Sequence, residues 1–252
     1  MFLFTDIVLS LGDVFLSYCS VWLPSENFMR LLLENKMIEI NKQDEDGLNA
    51  FWIAARCGHG NVLRVLAEYG IDIYNSDKHG NNALHMAAKY KDRFRICELL
   101  VNSNYDLNLI NGNGDTATHI AAQKGNLAHL QALLDAGSDY DLLNNHALSP
   151  LYLAILSNHN DCVNALLDAG AKAFFGGTDR EKDRSPVFLA IRTQQVEVLR
   201  AIFAYIEPEA QSAISDSKGQ TPVMFAAKNG FHEALNALIE LNSTSINQED
   251  KQ

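Results

Sequence analysis

Six segments of the chain repeat one pattern of residue types at a nearly constant interval, and no other feature constrains the fold as tightly. They are GLNAFWIAA from Gly47, GNNALHMAA from Gly80, GDTATHIAA from Gly114, ALSPLYLAI from Ala147, DRSPVFLAI from Asp183 and GQTPVMFAA from Gly219. Their fourth residues, Ala50, Ala83, Ala117, Pro150, Pro186 and Pro222, are separated by 33, 34, 33, 36 and 36 positions. A period of this size specifies stacked supersecondary units, each burying an apolar face on its neighbours, rather than a closed globule.

Each position in the segment has a physical reason. The third residue is Asn49, Asn82, Thr116, Ser149, Ser185 or Thr221, all side chains that accept a hydrogen bond from the free N–H groups of a helix start. Ala or Pro follows, and Pro at the first helical position loses no bond while presetting φ. A short helix therefore begins in every unit. The pairs Ala54–Ala55, Ala87–Ala88, Ala121–Ala122 and Ala226–Ala227 let helices approach closely, whereas Ile155 and Ile191 enlarge one member of the pair and predict less regular packing. A second helix is marked by apolar residues at helical spacing in 62–66, 96–101, 130–134, 163–167, 198–203 and 234–239. Gly58, Gly125 and Gly230 punctuate the turn between the two helices, and Asn158 is a tolerable substitute. Each unit reads as helix, turn, helix and extended finger.

These residues resemble the ankyrin repeat family, whose signature has the form D-x-x-G-x-T-P-L-H-x-A-A followed by a Leu-rich helix. The resemblance runs from about Ser25 to Asn242 and recurs six times in phase. It implies an all-α helix-turn-helix solenoid with protruding finger loops, formed by six repeats and an N-terminal capping segment. At the family's His position stand His85 and His119, where the resemblance implies an imidazole bonded to finger backbone that ties neighbours together. Trp52, Tyr152, Phe188 and Met224 replace that His, and apolar packing is expected there in place of the polar link.

The domain organisation expected is an apolar N-terminal segment and degenerate capping repeat over 1–45, six repeats over 46–242, and a polar, loose tail over 243–252. Residues 25–41 look like a second helix leading into a finger, and an apolar helix within 1–24 could fill the missing inner position. That stretch lacks the basic n-region of a signal peptide. As a spanning helix it would carry Asp6 and Asp13, at about 2.5 to 3.5 kcal/mol each at a helix centre, so membrane association is not expected. The intervals of 36 locate insertions in the finger 174–184 and in 206–215, where Glu207-Pro208-Glu209 can start an extra helical turn.

Chemistry is excluded more than it is indicated. Twenty Lys plus Arg against thirty-one Asp plus Glu give a net charge of −11, which disfavours a general nucleic-acid-binding role. Cys19, Cys57, Cys97 and Cys162 form no C-x-x-C pair, so neither a zinc nor a redox site is expected and a reducing, cytoplasmic setting fits. No phosphate loop, dinucleotide fingerprint, nucleophile elbow or zinc helix occurs. Cys57-Gly58-His59 is the nearest approach to a nucleophile beside a base, and it reads as an ordinary helix end and turn. The chain is expected to be no enzyme and to need no cofactor or metal.

The polar positions after the small pairs carry the functional expectation, because in an ankyrin-like stack they face the concave groove. They are Arg56 with Cys57, Lys89 with Tyr90, Gln123 with Lys124, Leu156 with Ser157, Arg192 with Thr193, and Lys228 with Asn229. Basic residues recurring along one surface of an acidic protein suggest a groove for an acidic protein segment, with Tyr90 as an aromatic anchor. The competing explanation is that Lys and Arg complement the dipole at any helix C-terminus. The fingers, among them Asp44-Glu45-Asp46, Asn111-Gly112-Asn113 and Leu142-Leu143-Asn144, offer a second surface. The expected function is an adaptor or scaffold that binds partner proteins, as a monomer or within a hetero-complex. The alternative is a constitutive structural or regulatory subunit docked through its apolar N-terminal segment.

Overall fold

The structure, a computed structural model, describes residues 25–34, 38–174, 183–211 and 213–249. The expectations for 1–24, for most of the finger 174–184 and for the last three residues lie outside the described residues. The chain divides into two compact units, Met1–Ala117 and Thr118–Gln252.

Unit 1 contains α1 (Glu26–Leu33), α2 (Ala50–Cys57), α3 (Gly60–Glu68), α4 (Ala83–Lys89), a single 3₁₀ turn (Lys91–Arg93) and α5 (Phe94–Val101). Helix α2 packs antiparallel on α3 and α4 on α5, and the inner helices α2 and α4 lie side by side. The outer helices α3 and α5 also meet, and α1 packs on α3 through the fully buried Met29 and Leu32. Arg30 bridges α1 to α3 with ion pairs to Glu68 at 2.6 Å and Glu26 at 3.1 Å. These pairs are solvent-exposed and contribute little to stability.

Helix α6 (Ala117–Lys124) leads into unit 2, followed by α7 (Leu127–Asp135), α8 (Pro150–Leu156), α9 (Asn160–Asp168), α10 (Pro186–Arg192), α11 (Val196–Tyr205), α12 (Pro208–Gln211), α13 (Pro222–Asn229) and α14 (His232–Glu249). The inner helices α8, α10 and α13 follow one another, with the outer helices α7, α9, α11 and α14 packed in the same order behind them. Helix α12 is the extra turn anticipated at Pro208. Helix α14 differs from expectation: it runs past Asn242 to Glu249, through the stretch read as a loose tail. Among the described residues no helix is long and apolar enough to cross a membrane.

The small pairs explain the close inner-helix contact. Ala54, Ala55, Ala87, Ala88, Ala121 and Ala122 are wholly buried, and so are Ile155 and Ile191 at the enlarged positions. Behind them the outer helices bury Leu63, Leu66, Leu100, Leu130, Leu133 and Leu166, each stabilising by about 1.5–3 kcal/mol relative to exposure.

The helix starts form as the residue types require. Asn49 accepts from the Trp52 amide, Asn82 from those of Leu84 and His85, Ser149 from that of Tyr152 and Thr221 from that of Met224. Ser185 departs from this pattern: its backbone has the extended capping conformation, yet its side chain makes no cap bond.

The fingers are built the same way in both units. In unit 1 the amides of Asp44, Asp77 and Asn111 donate to the carbonyls of Leu48, Asn81 and Asp115. The side chains of the same three residues accept from amides two and four positions on. Asn144 and Asp216 repeat this in unit 2, closing on Leu148 and Gln220. A short Asx side chain mimics a backbone turn in this way.

In three of the fingers, closed by Asn81, Asp115 and Leu148, the closing carbonyl also receives a link from the preceding repeat. His85 Nε2 lies 2.9 Å from the Asp115 carbonyl and His119 Nε2 lies 3.1 Å from that of Leu148. Trp52, expected to substitute apolar packing, instead donates its indole N–H to the Asn81 carbonyl at 2.7 Å. The indole reaches the equivalent carbonyl because its N–H projects from the far edge of a ring that is otherwise buried. The apolar expectation holds at Phe188, which is buried and meets Phe225 edge-on at a centroid distance of 5.4 Å. Met224, by contrast, is 59% exposed.

Candidate functional site

The candidate residues sit where the short inner helices run out of buried surface. Each inner helix buries its middle, so the residues after the small pair emerge at its C-terminal end. In unit 1 Arg56 and Lys89 are exposed, Tyr90 is 41% exposed and Cys57 is half-buried. In unit 2 Gln123, Lys124, Leu156, Arg192, Thr193, Lys228 and Asn229 are exposed and Ser157 is half-buried.

Their side chains are not equally available. The Arg56 guanidinium lies 5.2 Å from the Trp52 ring centroid and the Lys89 ammonium 5.4 Å from that of Tyr90, distances at which a cation is attracted to an aromatic face. Arg192 donates to the Tyr152 hydroxyl at 3.2 Å, joining consecutive repeats. Thr193 donates back to the Leu189 carbonyl at 2.9 Å and Asn229 to that of Phe225 at 2.7 Å, so both satisfy the ends of their own helices. Cys57 turns inward, onto the cluster of Leu48, Trp52, Ile53 and Met86. This is the packing of a small apolar residue rather than of a nucleophile. The deeper thiols are inert for a different reason: burial pushes Cys97 up to about 12 and Cys162 up to about 11, far from the thiolate needed for reactivity.

Two reaches between repeats were not legible at the level of residue pattern. In unit 1 Arg93 crosses from the start of α5 to the end of α2, donating its Nε to the Arg56 carbonyl at 2.8 Å. In unit 2 Gln195 does the same from the start of α11, donating to the Ile155 carbonyl at 3.0 Å. Each reaches a carbonyl at the C-terminal end of an inner helix, and the Ile155 carbonyl accepts the Asn158 amide as well. The signal available for the first was the run Lys89-Tyr90-Lys91-Asp92-Arg93-Phe94-Arg95, which interleaves cations with aromatics where the other units have a short glycine or amide turn.

The fingers show less apolar surface than Leu142 and Leu143 suggested. Both are half-buried, and Asn144 beneath them is buried. Among the described residues no group of three or more His, Cys, Asp or Glu side chains has the geometry to hold a metal ion.

Comparison with known proteins gives one consistent result. The family described as "Ankyrin repeats (3 copies)" matches residues 17–111, 86–175 and 172–250. The human protein transient receptor potential cation channel subfamily A member 1 is 27% identical over 118 residues, which is 44% of this chain and 10% of that protein. Its Caenorhabditis elegans homolog is 28% identical over 119 residues, 46% of this chain and 10% of that protein. The ankyrin repeat domain-containing protein SAT10 of Stachybotrys chartarum is 32% identical over 107 residues, 41% of this chain and 6% of that protein. The similarity thus spans a tenth or less of each of these relatives.

Proposed function

As the chain belongs to the ankyrin repeat family, we propose that it is a non-catalytic adaptor or scaffold whose inner-helix ends and fingers bind partner proteins. One observation carries the reading. At the position after the small pair, where burial stops, every repeat presents an exposed side chain: Arg56, Lys89, Gln123, Leu156, Arg192 and Lys228. Short repeats offer extended surface without the deep, water-excluding pocket that catalysis uses. Basic residues recur at that position in a chain of net charge −11, which supports an acidic segment as the partner's contacting element. The free thiols Cys57, Cys97 and Cys162 support a reducing, cytoplasmic setting.

Site-resolved crosslinking tests the reading. A photoreactive side chain placed at Gln123 or Leu156 should trap partner protein in cells. The same group at Gln131 or Asn164, exposed on the outer helices α7 and α9, should trap little. Equal trapping at all four positions would remove the inner-helix surface from consideration.

A further inference from the structure

We propose that the turn end of the first two repeats in unit 1, centred on Tyr90, is the docking site for an acidic segment of a partner protein. This rests on the reading of the chain as a partner-binding module, and it assigns that binding to one place and one chemistry.

The second repeat departs from local preference in two ways. The first concerns the backbone of the turn. In the other repeats the turn residue is left-handed, at Gly58, Gly125, Asn158, Gln194 and Gly230 with φ of 83°, 68°, 58°, 53° and 71°. The equivalent Lys91 instead lies in the 3₁₀ turn Lys91–Arg93, and the preceding Tyr90 is extended with φ −108° and ψ 120°. This rebuilt turn leaves Tyr90 41% exposed, although an aromatic side chain of that size stabilises the fold most when buried.

The second concerns charge. The dipole of the inner helices favours cations at their C-terminal ends, and that accounts for Arg56 and Lys89. It does not account for Lys91, Arg93 and Arg95. Arg93 is the N-cap of α5 and Arg95 lies in its first turn, where the helix end carries partial positive charge and acids are preferred. Three outer helices of unit 2 follow the preference, with Asp161, Glu197 and Glu233 in the first turns of α9, α11 and α14, and α7 has no acid there. Arg93 is offset by its bond to the Arg56 carbonyl, which leaves Lys91 and Arg95 as the departures, and local rules are broken chiefly at functional or strained sites.

The cations are also in one place. Arg93 donates to the Arg56 carbonyl at 2.8 Å, and a Cβ built on Gly58 would stand 3.1 Å from its guanidinium, so the two turns form a continuous surface. The acids nearby are Asp92, held by Arg93 at 2.5 Å, and Glu98 one turn into α5. At the other end of the same inner helices, about 12 Å away by helix rise, the fingers carry Asp44, Glu45, Asp46, Asp72 and Asp77 against Lys42 and Lys78, an acidic excess. Unit 1 therefore has an acidic finger edge and a basic turn edge. An acidic segment is repelled by one and drawn to the other, which fixes its position and speeds its association, while Tyr90 supplies an aromatic contact of the kind that dominates interface energies.

The test uses the full chain and a fluorescein-labelled oligoglutamate peptide, read by fluorescence anisotropy. Wild-type protein should bind the peptide, and binding should weaken as salt is raised toward physiological ionic strength, where the screening length is about 8 Å. Lys91→Glu with Arg95→Glu should weaken it by about tenfold or more with unchanged far-UV circular dichroism, since exposed charges add little to stability. Tyr90→Ala should weaken it with no change in the salt dependence. Arg192→Glu with Lys228→Glu, in unit 2, should change it less than about twofold. Equal loss from both charge reversals would overturn the assignment to unit 1 while leaving partner binding intact. Absence of peptide binding at low salt would overturn the acidic-segment chemistry, and the crosslinking experiment would then decide separately whether the chain binds partners at all. A single-stranded oligonucleotide that displaces the peptide at equal charge would overturn it too, in favour of nucleic acid.

Discussion

At the scale of single residues, the link between repeats is a hydrogen bond whose donor can be an indole or an imidazole. His85 shows what the buried position demands. Its Nε2 lies 2.9 Å from the Asp115 carbonyl, and its Nδ1 lies 3.2 Å from the Asn82 amide nitrogen and 2.8 Å from the Asn82 side-chain oxygen; in the neutral Nε2–H ring, Nε2 donates to Asp115 and Nδ1 accepts the amide. Burial holds its pKa below the ordinary imidazole value, opposed in part by the bond to Asp115. The stability consequence has a definite sign. Above the unfolded-state pKa of about 6.5 both states are neutral and the link contributes fully. As pH falls below that value the unfolded chain takes up a proton more readily than the folded one, and stability is lost progressively toward the folded-state pKa. Denaturant titrations at about pH 7.5 and about pH 5.5, on either side of the imidazole value, should show this loss in wild-type protein and a smaller loss in His85→Gln. A pH response unchanged by His85→Gln would place its origin in other groups. The link was only half legible in the sequence. His85 and His119 stood out by their place in the repeated segment, whereas the donor role of Trp52 depends on how closely Asn81 approaches, which no single residue type encodes.

At the scale of elements, the helix starts were legible because a cap is a local event: Asn49, Asn82, Ser149 and Thr221 each bond within their own first turn. The turns were harder. Gln194 takes a left-handed φ of 53° without being glycine or asparagine, because the fixed helices on either side impose the turn. Contacts between repeats constrain turns as well. Gly125 has φ 68°, and a Cβ there would stand 2.5 Å from the His159 ring of the following repeat, whereas a Cβ on Gly137, φ 81°, would meet nothing within 4 Å. Gly137→Ala should therefore cost only the left-handed penalty of about 1–2 kcal/mol. Gly125→Ala should cost more than Gly137→Ala, and His159→Ala should recover the difference. Equal unfolding midpoints for the two alanine variants would show that the His159 ring moves aside freely.

At the scale of the whole molecule, the period in the sequence was enough to state the fold because each repeat contacts its neighbours and little else. The distribution of charge was not legible in the same way, since a net charge of −11 says nothing about which edge of a unit is acidic. Neighbour-only coupling predicts how damage spreads. Leu166 is wholly buried in α9, and Leu166→Ala should cost about 2 to 5 kcal/mol. Hydrogen exchange should then accelerate most in α8 and α9, less in α11 and least in α14, falling off with each repeat crossed. Uniform acceleration across unit 2 would mean that it unfolds as one block. The closing carbonyls of the fingers carry a consequence for how such a chain can change over generations. The acceptor of the bond from Trp52, His85 and His119 is backbone, present whatever side chain stands there, and it is supplied by Asn81, Asp115 and Leu148. For this bond only the donor side is under selection, so the closing residue can drift from amide to acid to aliphatic and still accept it, as Asn81, Asp115 and Leu148 do.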